Sequence, residues 1–308
     1  MWYNNFVSCR VRGAKVIDFE KEIIMYQFPI GVVVESFRKE IHEAIKEASR
    51  LGLAGIQMYG TRGEFAPENF TKEARRELLN FAKDNGVKFS AICGDFGHGF
   101  MNVESNKIYV EKSKRVVDLA LDMETNIVTT HIGVVPEDKN AERYKIMQQA
   151  CYELAQYADS VGAHFAVETG PETSAVLGDF LDSLGSCGVG VNLDPANLMM
   201  VTGDDPVGAV HRLRKYIVHT HAKDGVMLHR TNPEYIYSVI PMPEDVKNIT
   251  AFREEPLGEG SVDFPAYLKA LEDIGYRGFL TIEREAGDDP AKDITIAAEY
   301  LRKIIKEN

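Results

Sequence analysis

Eight short apolar runs recur along the chain, each rich in β-branched residues and long enough for one buried strand. They are PIGVVV at 29–34, AGIQM at 54–58, VKFSAI at 87–92, NIVTTH at 126–131, HFAVE at 164–168, GVGVNLD at 188–194, YIVHTH at 216–221 and GFLTIE at 278–283. Near-continuous apolar character marks strands covered on both faces. Between them lie charged stretches with apolar residues at helical spacing. In FRKEIHEAIKEASRLG, Ile41, Ala44, Ile45 and Ala48 fall on one stripe, and in FPAYLKALEDIGY, Leu268, Leu271 and Ile274 do the same. Glycine closes these segments at Gly52, Gly86, Gly162, Gly185 and Gly275, as a helix C-terminus prefers. Eight uninterrupted strand–helix units predict a single (β/α)8 barrel of the TIM type, with a doubly wound sheet as runner-up. No GxGxxG or GxxxxGK[ST] follows the first strand, which weakens the nucleotide-binding sheets.

Two segments break the rhythm. About Ala222 to Val262 forms one long connection with four prolines, Pro233, Pro241, Pro243 and Pro256. Such length in a compact domain points to a functional loop or lid. Residues 1–24 fit no helix or strand period and lack a signal-peptide core; periodic sequence begins after Met25. We therefore expect a barrel domain over 25–308, preceded by an N-terminal extension or a misread start.

Composition narrows the function classes. With 308 residues, 44% hydrophobic and 27% charged, the chain reads as soluble and globular. No apolar stretch reaches the roughly 18–20 residues of a membrane span. A net charge of −12 argues against nucleic acid as a partner, because phosphate binding needs a basic face. The four cysteines, Cys9, Cys93, Cys151 and Cys187, form neither a disulfide framework nor a zinc-thiolate pattern, so a cytoplasmic location is expected.

Barrel enzymes carry their chemistry at the C-terminal strand ends. Here the fifth strand ends on Glu168, the sixth on Asp194, the seventh on His219, His221 and Asp224, and the eighth on Glu283 and Glu285. Neighbouring strands lie about 4.8 Å apart, so ligands from four successive strands can converge on one ion. Strand parity places Glu168 with Ala166, Asp194 with Asn192, His221 with His219 and Glu283 with Thr281, and turns Val167, Leu193 and Ile282 toward the helices. Of the two histidines, His219 reads as an interior residue and His221 as the ligand; Glu285 ranks behind Glu283. Singly, each carboxylate fits a salt bridge, and Asp194 before Pro195 fits a turn former equally well. Jointly, Glu168, Asp194, His221 and Glu283 form a mostly hard, oxygen-rich set suited to Mn²⁺ or Mg²⁺, or else Co²⁺. His131, which ends the fourth strand, faces the same mouth as a substrate ligand, a further base or a structural residue. Asp95 and His98 are weaker candidates of the same kind. Lys223 and Arg230 stand near enough to the mouth to serve an anionic group.

The order VETG, NLDPANL, HTHAKDG and LGEGSVDFPAYLKALEDIGYRGFLTIERE resembles the xylose isomerase-like superfamily of sugar phosphate isomerases and epimerases, including D-tagatose 3-epimerase. The likeness covers nearly everything after Met25. It implies that Glu168, Asp194, His221 and Glu283 bind a divalent metal and that Glu168 and Glu283 act as the acid/base pair. The implied activity is isomerisation or epimerisation of a ketose, ketose phosphate or related keto-sugar through an enediolate. A keto-inositol dehydratase or 3-keto-glycoside lyase is the alternative, with His131 or a loop residue as general acid. A non-catalytic sugar-binding barrel is a third. Asn197 and Met227 stand where the ketose 3-epimerases carry a substrate-binding histidine and arginine, which puts a simple free-ketose 3-epimerase in doubt. Asn197 is kept as a substrate-binding candidate with His131, Lys223 and Arg230. The superfamily's DNA-repair relatives carry further zinc-binding histidines, one of them also at Asn197, and fit poorly. A small carbohydrate is the expected partner, and homo-oligomers are common among such proteins.

Overall fold

The computed structural model describes residues 26–307; the expected extension at 1–24 lies outside them. Ten strands occur among the described residues: β1 Ile30–Val33, β2 Gly55–Tyr59, β3 Lys88–Cys93, β4 Ile127–Thr130, β5 His164–Glu168, β6 Val189–Leu193, β7 Ile217–Ala222, β8 Asp224–Met227, β9 Phe252–Glu255 and β10 Leu280–Ile282. Eight close into a parallel barrel in the order β1-β10-β7-β6-β5-β4-β3-β2, while β8 and β9 form a separate antiparallel pair. Closure between β1 and β10, with Gly31 opposite Thr281, decides for the barrel over the open sheet. All eight strands read from the sequence are present.

The helices follow the same logic. In Ile41–Arg50 the buried residues are Ile41, Ala44, Ile45 and Ala48, and the Glu40 carboxylate caps the N-terminus by accepting the His42 N–H at 3.1 Å. Leu268 and Leu271 are fully buried on Phe264–Asp273, with Ile274 half-buried at its cap. Gly162 and Gly185 end their helices with φ of 73° and 56°, a conformation that costs a side-chain-bearing residue about 1–2 kcal/mol. Among the described residues no helix is long and apolar enough to cross a membrane. Cys93 and Cys151 are buried free thiols. Cys187 is disulfide-bonded.

Register is what aims the strand-end residues. Val167, Leu193 and Ile282 are at most 1% exposed and belong to the layer between strands and helices. Burying each stabilises the native pairing by roughly 1.5–3 kcal/mol. A slip of one residue would exchange them for Glu168, Asp194 and Glu283. The inward positions form a polar lattice instead. His219 Nδ1–H donates to Asn192 Oδ1 at 2.9 Å, and the Thr281 hydroxyl donates to His219 Nε2 at 3.0 Å. Burial and the neighbouring His221 push the His219 pKa well below the usual imidazole value. His219 is the interior residue that the sequence suggested.

The long connection is a built element. Asp224 on β8 accepts backbone N–H groups from Gly225, Gly258, Gly260 and Val262 at 2.8–3.1 Å. A Cβ at Gly260 would sit 2.1 Å from the Asp224 carboxylate, so glycine is required there. Asp224 thus ties the two feet of the excursion together and takes no part in the strand-end cluster.

Candidate metal centre and active site

Each ligand candidate is fixed by its own strand end. Glu168 is the last residue of β5. Asp194 follows β6, where its Oδ1 accepts the Asn197 N–H at 2.8 Å and its backbone exchanges hydrogen bonds with the Thr169 hydroxyl at 2.8 and 2.9 Å. The turn-forming role and the ligand position therefore coexist in one carboxylate. His221 lies on β7, and Glu283 follows β10 with its N–H donating to Ala222 O at 3.2 Å. Donor atoms of the four residues all lie within 4.8 Å of one another. His221 Nδ1 is 3.3 Å from Asp194 Oδ2, 3.3 Å from Glu283 Oε2 and 3.6 Å from Glu168 Oε1.

These residues fit a divalent cation on their own chemistry. His221 Nε2 lies 3.2 Å from both Gln57 Oε1 and the Asn192 amide nitrogen, and its Nδ1 faces the three carboxylates, where a cation would take the place of the Nδ1 proton. Three buried carboxylates around one imidazole nitrogen hold more negative charge than that ring can offset. Burial pulls the His221 pKa down, but Glu283 and Glu168 outweigh it and hold it well above the usual value. Burial likewise opposes ionisation of Glu283, yet Lys223 and His221 keep its carboxyl well below the ordinary range. Glu168 is lowered by His131 and His221 against burial, whereas burial dominates at Asp194 and raises it.

A second set of groups holds the first. Asn192 and Asn197 donate to the two oxygens of Glu168 at 3.2 and 3.1 Å. Lys223, only 5% exposed, donates to Glu283 at 3.0 Å and Glu285 at 2.7 Å, with Glu254 at 3.9 Å. His131 Nδ1 is 3.3 Å from Asp95 Oδ2, and its Nε2 lies 3.8 Å from Glu168. Burial lowers the His131 pKa, but Glu168 and Asp95 outweigh it and lift it to about 9.

A cavity of about 270 Å³ opens above these groups, lined by Asp95, His131, Glu168, Asn197, Lys223 and Glu283 among others. Arg230 is not among them. It bonds the Thr202 carbonyl at 2.9 Å and lines a neighbouring cavity of about 600 Å³. His98 is exposed and stacks on Tyr109 at 5.0 Å, away from the cluster, and Glu285 is a rim residue. Three contributors escaped the sequence reading. Gln57, a polar residue in an apolar strand, was a legible signal. Glu254 on β9 and Tyr237, whose ring lies 5.6 Å from His131, come from the excursion and carry no local pattern.

The chain is similar to several known proteins. The chain is 25% identical over 256 residues to 3-dehydroshikimate dehydratase of Bacillus anthracis, covering 78% of this chain and 86% of that one. It is 25% identical over 177 residues to inosose dehydratase of Clostridium beijerinckii, covering 54% and 55%. The solved structure of a xylose isomerase domain protein from Planctomyces limnophilus superposes with a TM-score of 0.73 at 25% identity, covering 91% of this chain and 98% of that one. A family model matches residues 45–304, and the chain belongs to the xylose isomerase-like TIM barrel family.

Proposed function

We propose that the protein is a divalent-metal-dependent sugar isomerase or epimerase that moves a proton beside the carbonyl of a ketose, ketose phosphate or related keto-sugar. The observation that carries this reading is the convergence of Glu168, Asp194, His221 and Glu283 beneath one cavity. A bound Mn²⁺, Mg²⁺ or Co²⁺ would supply Lewis acidity, offsetting the charge that develops on the carbonyl oxygen when the neighbouring C–H is broken. The chain's own groups do the proton transfer. Glu168 and Glu283 reach the cavity from β5 and β10, which are separated in the barrel by β6 and β7, so one carboxylate can take the proton and the other return it. Lys223 keeps Glu283 ionised, and Asn192 and Asn197 orient Glu168.

One observation favours a second outcome of the same step. The His131–Asp95 pair beside Glu168 offers an additional proton donor. Protonating a β-hydroxyl as it leaves would turn the enediolate into a dehydration product, in keeping with the names of the two dehydratase relatives.

Proton NMR in D₂O of the Mg²⁺-loaded protein with ketoses, ketose phosphates and an inosose tests both outcomes. The C–H signal beside the carbonyl should disappear only with metal, and Glu283→Gln should slow that loss by about 10²–10⁴-fold. A new epimer or isomer supports the first outcome and loss of water the second. No exchange with any of the compounds, despite bound metal, would refute the reading.

A further inference from the structure

The charge inventory of the cavity identifies its substrate more narrowly. Five carboxylates line it, from Asp95, Glu168, Glu254, Glu283 and Glu285, against two cationic side chains, Lys223 and His131. Both cations already face carboxylates, although His131 Nε2 is buried without a hydrogen-bond partner among the described residues. Lys223 sits among Glu283, Glu285 and Glu254 at 3.0, 2.7 and 3.9 Å, and His131 lies between Asp95 and Glu168 at 3.3 and 3.8 Å. Arg284, behind Glu254, is likewise spent, donating to Glu254 at 2.6 Å and to Asp293 at 2.8 Å.

The remaining arginines nearby do not line the cavity; Arg38 donates to the Glu285 carbonyl at 2.8 Å at its rim. The Arg62 guanidinium carbon lies 4.3 Å from the Tyr59 ring centroid and adds its field to Glu35 and Asp95. Arg143 and Arg230 line the separate, larger cavity, where Arg143 pairs with Glu234. Among the described residues, no cationic side chain lining the site cavity lacks a carboxylate partner. A divalent ion beneath the cavity would not bring five lining carboxylates, Asp194 and two protonated partners to a positive balance. In a partly enclosed cavity such an imbalance repels an anion. The same carboxylates, amides and imidazole are good partners for hydroxyl groups.

From this balance, and resting on the enolisation reading above, we infer that the substrate is an uncharged polyhydroxy ketone of single-ring size, and that phosphorylated and carboxylated ketones are excluded. The size follows from a cavity of about 270 Å³, at the lower edge of the range for small-molecule sites. The roles first considered for Lys223 and Arg230, holding an anionic group, do not survive: one is saturated with carboxylates and the other lies elsewhere.

Matched pairs test the inference: D-fructose against D-fructose 6-phosphate, and an inosose against 3-dehydroshikimate. Binding to the Mg²⁺-loaded protein is read by ligand-observed NMR, separately from C–H exchange. The uncharged member of each pair should bind at least about tenfold more tightly, and added salt should improve binding of the charged member by screening the repulsion. Equal or tighter binding of the charged member, a loss of its affinity with salt, or failure of both uncharged ketones to bind would overturn the inference. Uncharged ketones that bind but never exchange a C–H would leave the substrate class standing and refute the proton-transfer chemistry instead.

Discussion

At the scale of single residues, the most informative group outside the cluster is Glu172, in the loop after β5. Its Oε2 accepts the Val135 N–H at 3.0 Å, its Oε1 is buried with no partner among the described residues, and the side chain is 6% exposed. Burial raises its pKa to about 8 against the opposing Val135 N–H. The folded state therefore holds this proton more tightly than the unfolded chain, where the ordinary value is 4.5. Its contribution to stability is complete below that value and is lost as pH rises through about 8. Glu172→Gln keeps an acceptor for Val135 and has no proton to lose. Denaturant unfolding at about pH 5 and about pH 9 should show the variant gaining on the wild type by on the order of 4 kcal/mol between the two. A difference that does not change with pH would show that Glu172 is ionised in the folded protein.

At the scale of elements, the excursion between β7 and the helix Phe264–Asp273 behaves as one unit hung from Asp224. Its Pro233–Ile236 helix is followed by Tyr237, and β9 brings Glu254 against Lys223 and Arg284. Asp224→Asn would replace one carboxylate oxygen by an NH₂ facing either the amides of Gly258 and Gly260 or those of Gly225 and Val262, while the barrel below keeps its own ladder. The expected outcome is faster proteolytic cleavage within 228–251 and a fall in kcat/KM of about 10–100-fold, with Tm changed by only a few degrees. Unchanged cleavage and kinetics would mean that Asp224 does not hold the roof. This element also marks the boundary of what the sequence revealed. The eight strands and the convergence of Glu168, Asp194, His221 and Glu283 were legible because parity and strand order act locally: a period of two, an apolar outer face and a polar strand end. The length of the excursion and its GEGSVD run were visible too. What they do was not, because Asp224 meets Gly258, Gly260 and Val262 across 34–38 residues. The saturation of Lys223 by Glu254 and the pairing of His131 with Asp95 were hidden for the same reason.

On the scale of the whole molecule, the cluster bridges a large part of the barrel. Its four residues come from β5, β6, β7 and β10, which are consecutive neighbours in the closed barrel, so an ion held by all four would bind half of the barrel's staves together. Three of the four are carboxylates that folding removes from water, and their mutual repulsion opposes closure when no cation is present. A ligand that binds only the folded chain stabilises it by mass action, by about 2.7 kcal/mol at a hundredfold excess over Kd. For a chain of this size that corresponds to a rise in Tm of roughly 4 °C. We therefore expect Mn²⁺ or Mg²⁺ to raise Tm and a chelator to reverse the rise. Because the chain carries a net charge of −12, diffuse binding of cations to its surface could imitate part of this, and Asp194→Asn separates the two. That variant keeps the acceptor for the Asn197 N–H and nearly all of the surface charge but loses one ligand of the four. A response to metal that vanishes in Asp194→Asn would place the stabilising ion at the strand ends. A response that persists undiminished would place it on the acidic surface and remove the cluster's claim to a metal.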